Sequence, residues 1–521
     1  MRRFRSVLSL FLALVILSAI AAPVFADALV TANVAVNGVK LNADAYIVNN
    51  STVVPLRAIF EALGAEIKWD GTTRTVTATK GSRVIVLTID QPTAQVDGRT
   101  VDLAVPGMII GGSTFVPLRF VGEALDAKVG WDPETRTAKV DLDPTAACGP
   151  TVHEGEINAA GETWGVCGSP HIITGDFLVA GPSGPVLTIE AGAVVRFEID
   201  GALRVGEHGP GGLIVRGTAQ QPVLFSAESG NNTPGFWRGI YFGAKTMPRK
   251  SSIEHAKIEY GGSAYEGAIA IHAEVERDVA VLVKNVEIKE SLYAGISMHE
   301  RGRLDPASGN ITISGTKVAA GGGGYPIATG LIGVANLPKG NYTNNQKNGI
   351  LITRHMGTES VEGNVTWANL GLPYVIDMHV YVEGPNSPVL TVEPGTSLIF
   401  RPGQKLRIGE HDAGSLIAIG TAQAPITFTG ELQRKGSWEG ILIGEKVGTD
   451  AKIEYATVEW ATIGIQFLAD YGPIVQKTKF QNCEAAVNRW WQASESGENT
   501  DYTATDLGNS FDKNGEDQNE I

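Results

Sequence analysis

From Val186 onward the chain alternates apolar and polar positions in short runs. Leu187 and Ile189 alternate with Thr188 and Glu190, Val195 and Phe197 flank Arg196, and Leu203 and Val205 flank Arg204. A period of two gives one apolar and one polar face, so these runs predict short half-buried strands. Gly192, Gly201, Gly206 and Gly217 fall between them, where sharp bends need a residue that tolerates positive φ. Strands recur about every ten residues with almost no helical pattern between them. That spacing predicts an all-β solenoid, barrel or sandwich.

The same pattern occurs twice. Pro185 and Pro388, Phe197 and Phe400, His208 and His411, and Phe225 and Phe428 are each 203 residues apart, as are Trp164 and Trp367. After a small length change, Trp237, Gly239 and Ile240 answer to Trp438, Gly440 and Ile441. A duplication of this length favours the solenoid. Strand runs ending in AG or PG, then GTAQQPVLF, W-x-GI and IEYA-like segments, resemble the right-handed parallel β-helix proteins of bacterial surfaces. The resemblance runs from about Gly149 to the C-terminus. It implies the fold but not the activity, because that scaffold carries lyases, hydrolases, adhesins and spacers.

A second, shorter duplication lies upstream. Val53–Val76 matches Phe115–Ala138 at an offset of 62, which pairs Arg57 with Arg119, Glu61 with Glu123, Trp69 with Trp131 and Arg74 with Arg136. Each copy reads as strand, short helix, strand. The helix is expected over about Leu56 to Leu63, with Ile59, Phe60 and Leu63 on one face and Gly64 ending it. The next strand, Ala65 to Trp69, is expected to turn Ile67 and Trp69 inward. Arg57 and Arg119 suit either an anionic ligand or a local pair with a carboxylate such as Glu61, and the local pair is preferred. The doubled motif resembles the copper amine oxidase N-terminal-like (stalk) domain of bacterial secreted proteins. The expected fold class is therefore mainly β: a small duplicated α+β N-terminal domain, then a right-handed parallel β-helix.

That family name does not imply an amine oxidase here. The oxidase catalytic domain needs a quinone-forming tyrosine in an Asn-Tyr-(Asp/Glu)-Tyr context and three histidine ligands for copper. Asn341-Tyr342 is followed by Thr343 and Asn344. His153, His171, His208, His255, His272, His299, His355, His379 and His411 are scattered along the sequence, with no His-x-His pair. No metal and no cofactor is expected.

The start of the chain reads as a secretory signal over residues 1–26: basic MRRFR, apolar Val7 to Ala22, and the small-residue site Val24-Phe25-Ala26. A secreted or cell-surface protein beginning at Asp27 is expected, with no transmembrane segment in the mature chain. Removal of Arg2, Arg3 and Arg5 makes the net charge of −14 three units more negative. An acidic chain repels phosphate backbones, so nucleic acid is not an expected partner. The expected divisions are a stalk domain over 30–143, a linker over 144–150, and a β-helix over 151–521 built of units at about 151–355 and 356–521. In an oxidising compartment, Cys148 and Cys167 are the expected disulfide, leaving Cys483 unpaired and buried.

Candidate chemistry is sparse. Glu254 and Glu259, with Glu454 and Glu459, alternate with Ile253, Ile258, Ile453 and Val458 as a solvated outer face would. Glu207-His208 and Glu410-His411 follow glycines, and a turn there would let each pair share a ligand. Trp490-Trp491 suit sugar stacking or a cap on the solenoid end. GNSFDKNG near the C-terminus echoes GNYTNNQKNG, which predicts one more coil in the tail. No nucleophile elbow, P-loop or His-Glu-x-x-His sequence occurs. The expected function is a non-enzymatic surface for polysaccharide or cell-envelope partners. The alternative is a polysaccharide lyase or glycoside hydrolase on the β-helix.

Overall fold

The computed structural model describes residues 30–36, 38–41, 45–49, 51–63, 65–80, 83–125, 127–142, 150–157, 161–228, 230–469, 472, 474–489 and 500–520. The chain divides into two compact units, Met1–Ala147 and Cys148–Ile521.

In the first unit the two copies of the doubled motif meet. Strand Ser51–Pro55 pairs antiparallel with Ser113–Pro117, placing Val54 opposite Val116 and Pro55 opposite Phe115. Each strand runs directly into a seven-residue helix, Leu56–Ala62 or Leu118–Ala124. Leu56, Ile59, Phe60 and Leu63 follow helical spacing and are buried in the unit's core, as are Leu118, Val121 and Leu125. The hairpins that follow turn alike: Asp70 accepts from the Thr72 amide, and Asp132 from the amides of Glu134 and Thr135.

The expectation for Trp69 is overturned. Trp69 and its counterpart Trp131 are 44% and 46% exposed. Strand Glu66–Asp70 is the edge of a five-stranded antiparallel sheet, and Ala127–Asp132 ends the larger eight-stranded sheet. Ile67, on the same face, does pack against the core, but the cover stops short of Trp69 near the end of the strand. Arg57 and Glu61 are also both exposed, and they form no ion pair with each other. The Glu123 side chain and Gly64 lie outside what is described.

The second unit is a parallel β-solenoid of about 13 turns. Its strands pair in parallel register: Leu187 with Leu213, Phe197 with Ala227, Val205 with Phe242, Ile271 with Met298. Inward residues of every coil join one continuous core from Ile157 to Tyr502. The 203-residue duplication is a duplication of packing. Trp237 stacks on Phe197 and donates from Nε1 to Glu259 O; Trp438 stacks on Phe400 and donates to Glu459 O. One corner is a side-chain ladder, in which the Asn285 amide nitrogen lies 2.9 Å from His255 Nε2 and Asn310 Nδ2 donates to Asn285 Oδ1. His255, Asn285 and Asn310 all take positive φ there. The strand Ser252–Glu259 bends at His255, so Glu254 and Glu259 lie on different faces. The tail forms the expected extra coil: Ser510–Asp512 pairs with Lys479–Gln481, and Glu516–Glu520 with Ala485–Arg489.

A histidine-carboxylate cluster as the candidate functional site

The Gly-Glu-His segments do form turns, but their carboxylates are already taken. Gly206 and Gly409 adopt φ of 64° and 60°. Arg204 Nη1 donates to both oxygens of Glu207, and Arg407 Nη1 to both oxygens of Glu410. Arg204 also pairs with Asp176 at 2.9 Å and lies over the Tyr241 ring. The carbonyls of His208 and His411 each accept from a lysine, Lys245 and Lys446, while the two side chains face solvent. The same clasp in both copies closes the same turn. Glu454 departs from a solvated outer face: it is buried and held by Lys452 and Lys477 at 2.8 and 2.6 Å. Trp490, Trp491 and Cys148 lie outside the described residues. Cys167 is disulfide-bonded, and Cys483 is free and buried.

Four of the nine histidines come together in two pairs. His153 and His171 meet at the first coils, where His153 Nε2 lies 3.0 Å from His171 Nδ1 and His171 Nε2 contacts Gly165 O at 2.9 Å. Both rings stack on Trp164.

A second pair sits further along. His272 ends strand Ile269–His272 and His299 ends strand Ala294–His299, and the two are register partners on neighbouring parallel strands. Their rings stack with centroids 4.1 Å apart. Ile269, Ile271, Ile296 and Met298 point into the core, so alternation sends both imidazoles outward. Glu266 reaches them from the turn that precedes the first strand. Its Oε1 lies 3.0 Å from His272 Nε2. Donor atoms of all three side chains lie within 4.8 Å of one another.

The turn carrying Glu266 is fixed at both ends. The Ser263 amide donates to Glu266 O, and the Gly267 amide donates to Ser297 Oγ, which is fully buried. Gly262 takes φ of 109°, and a Cβ there would collide with Leu292 O, so only glycine fits.

The electrostatics favour a neutral imidazole beside an ionised carboxylate. Burial, reinforced by His272, pushes His299 down to about 4. Burial alone would raise Glu266, but contacts from His272, Tyr241 and His299 outweigh it and hold the carboxyl below its usual range. Burial and Glu266 push the Tyr241 phenol upward. Two neutral imidazoles and one carboxylate can hold a transition-metal ion.

The first unit has its own groove, of about 580 Å³, whose lining includes Asp102, Arg119, Phe120 and Trp131. Strand Ser51–Pro55 and helix Leu118–Ala124, one from each copy of the doubled motif, both contribute to it. Residues 34–140 match the model of the copper amine oxidase N-terminal domain. No curated protein and no solved structure matches the chain. The matched domain contains no histidine and no cysteine, so it offers copper neither imidazole nor thiolate. Tyr342, the nearest sequence counterpart of a quinone tyrosine, is buried and donates its hydroxyl to Pro338 O at 2.8 Å. Copper amine oxidase chemistry does not fit these residues. Among the described residues no helix is long and apolar enough to cross a membrane.

The sequence reading missed Glu266, His272 and His299. Its usable signal was that His272 and His299 each close a strand run of the same inward pattern, IAIH and GISMH.

Proposed function

We propose that this chain is a non-enzymatic exported protein, working outside the cell or at its surface, whose solenoid is a rigid binding or presentation surface for a polysaccharide or another envelope component. What supports the reading most is the state of the carboxylates on the solenoid. Arginines or lysines on the same or a nearby coil hold several of them: Asp176 by Arg204, Asp278 by Arg301 at 2.6 Å, Asp377 by Arg401 at 2.5 Å, Glu410 by Arg407 at 2.7 Å. Burial alone would raise Asp278, but hydrogen bonds from Arg301 and Arg303 win and lower it. Lys452 and Lys477 lower Glu454. A glycosidase acid needs the opposite, a carboxyl kept protonated near neutral pH. Paired charges on a stiff scaffold suit display and adhesion.

The export part of the reading rests on the basic-apolar start and on the matched N-terminal domain. The test is a panel of envelope and plant polysaccharides presented to the purified chain, scored for both retention and cleavage. Saturable retention without new reducing ends or unsaturated products is the expected result. Cleavage of any member, or retention of none, would sink the reading.

A further inference from the structure

We propose that Glu266, His272 and His299 form a binding site for one divalent first-row transition-metal ion, of which zinc is the natural probe, on the outer face of the solenoid. The donor set selects the class of ion. Two imidazole nitrogens with one carboxylate suit zinc and its neighbours, whereas calcium and magnesium take oxygen ligands.

The donor spacing is within reach of what such an ion requires. Ligands about 2.1 Å from a tetrahedral ion lie about 3.4 Å from one another. Glu266 Oε1 and His272 Nε2 are already 3.0 Å apart, and no pair among the three residues exceeds 4.8 Å. To complete the triangle the two imidazoles, stacked with centroids 4.1 Å apart, must turn out of the stack so that a ring nitrogen of each faces the ion. The parallel register presents both imidazoles on one side of neighbouring strands, and the pinned turn from Ser263 to Gly267 presents the carboxylate.

The polar bookkeeping points the same way. Nε2 of His299 is buried and without a hydrogen-bond partner, and Nε2 of His272, also buried, has only the Glu266 carboxylate oxygen beside it at 3.0 Å. A buried polar atom left unpaired is costly. One ion would satisfy both atoms and neutralise Glu266. The contrast lies in the same solenoid: the His153–His171 pair spends its contacting nitrogens on each other and on Gly165 O. Two adjacent histidines therefore do not by themselves make a site here. The Glu266 and His272 side chains are 23% and 35% exposed, so the cluster reaches the surface, where an ion can enter.

The test is zinc titration of the tag-free, chelator-stripped chain against a chromogenic zinc chelator. One zinc per chain is expected. His272→Gln and His299→Gln should each weaken binding by about 100-fold or more, since losing a ligand costs at least as much as losing a residue that supports one. His153→Gln should leave zinc affinity unchanged. Cobalt(II) gives a readout independent of the variants: visible d–d bands of a nitrogen-ligated, low-coordinate site, bleached by one equivalent of zinc and not by calcium or magnesium. Melting curves of the metal-free variants separate ligand loss from misfolding. If the histidine variants do not fold, Glu266→Gln on the turn and the cobalt spectrum decide. Absence of saturable zinc binding, or binding that these substitutions leave unchanged, overturns the proposal.

Discussion

The Trp237 ring lies flat on the Phe197 ring, with centroids 3.9 Å apart and planes 6° from parallel. Trp438 and Phe400 repeat the arrangement at 4.4 Å and 9°. Each indole is fully buried, spans the step between coils, and is tied to the backbone of a further coil through Nε1. Trp438→Ala should remove that stack, leave a cavity and orphan the Glu459 carbonyl. A loss of about 3–5 kcal/mol is expected, read as a lower denaturation midpoint. Coils contact only their neighbours, so the loss should appear first in hydrogen exchange of the coils around Trp438. A change confined to the N-terminal unit would contradict this.

Gly211 and Gly414 sit where adjacent coils approach closely. A Cβ at Gly414 would run into Val382 O, and one at Gly211 into Val179 O. The obstacle is backbone, which cannot swing aside. Gly414→Ala should therefore lower the yield of folded protein sharply. Gly363→Ala, where a Cβ meets nothing within 4 Å, should change stability by no more than about 0.5 kcal/mol. Equal stability of the two variants would refute the close-approach argument.

Acid should loosen the first coils. Burial, together with His171, pushes His153 down to about 4, and Glu162 opposes the shift only in part. The unfolded chain takes up this proton near pH 6.5 while the folded chain resists it. The stability that a neutral His153 contributes is therefore complete above about pH 6.5 and is lost as pH falls toward about 4. The melting temperature should drop over that window, and less in His153→Phe, which keeps an aromatic ring against Trp164 but has no proton to take up. A drop as large in His153→Phe as in the parent would remove His153 as the cause.

Reconstitution with copper should not produce an amine oxidase. The copper amine oxidase N-terminal domain offers no imidazole, and Tyr342 is committed to the core and to Pro338 O. No peroxide is expected from simple amines after copper loading. Peroxide release that follows bound copper would overturn this.

Cys167 is disulfide-bonded and Cys483 is free, and we propose Cys148 as the partner of Cys167. Peptide mapping without reductant should recover the Cys148–Cys167 pair, with a Cys483 thiol that alkylates only after unfolding because burial raises it to about 11. A Cys483 thiol labelled rapidly in the folded chain would show that its burial is overstated.

Local pattern by itself determined the elements. Alternation around Leu187 and Ile189 marked strands, the spacing of Leu56, Ile59, Phe60 and Leu63 marked a helix, and the two duplications marked two kinds of unit. Those features depend on neighbours within a few residues or on literal repetition, so the sequence carries them directly. Contacts between coils were decided only by the tertiary structure. Leu203 pairs with Ile240, Ile240 with Ile269, Ile269 with Ile296, and Ile296 with Ile327, so successive coils add 37, 29, 27 and 31 residues. With coil length varying at each turn, the sequence holds no fixed period that would place His299 beside His272, or Arg204 beneath Tyr241. The exposure of Trp69 was hidden for a related reason: alternation gives direction, but cover comes from whichever element packs on that face, and here it reaches Ile67 but not Trp69. The apolar pattern determined that this chain coils; the register between coils, set by how much loop each turn extrudes, decided which polar side chains share a site.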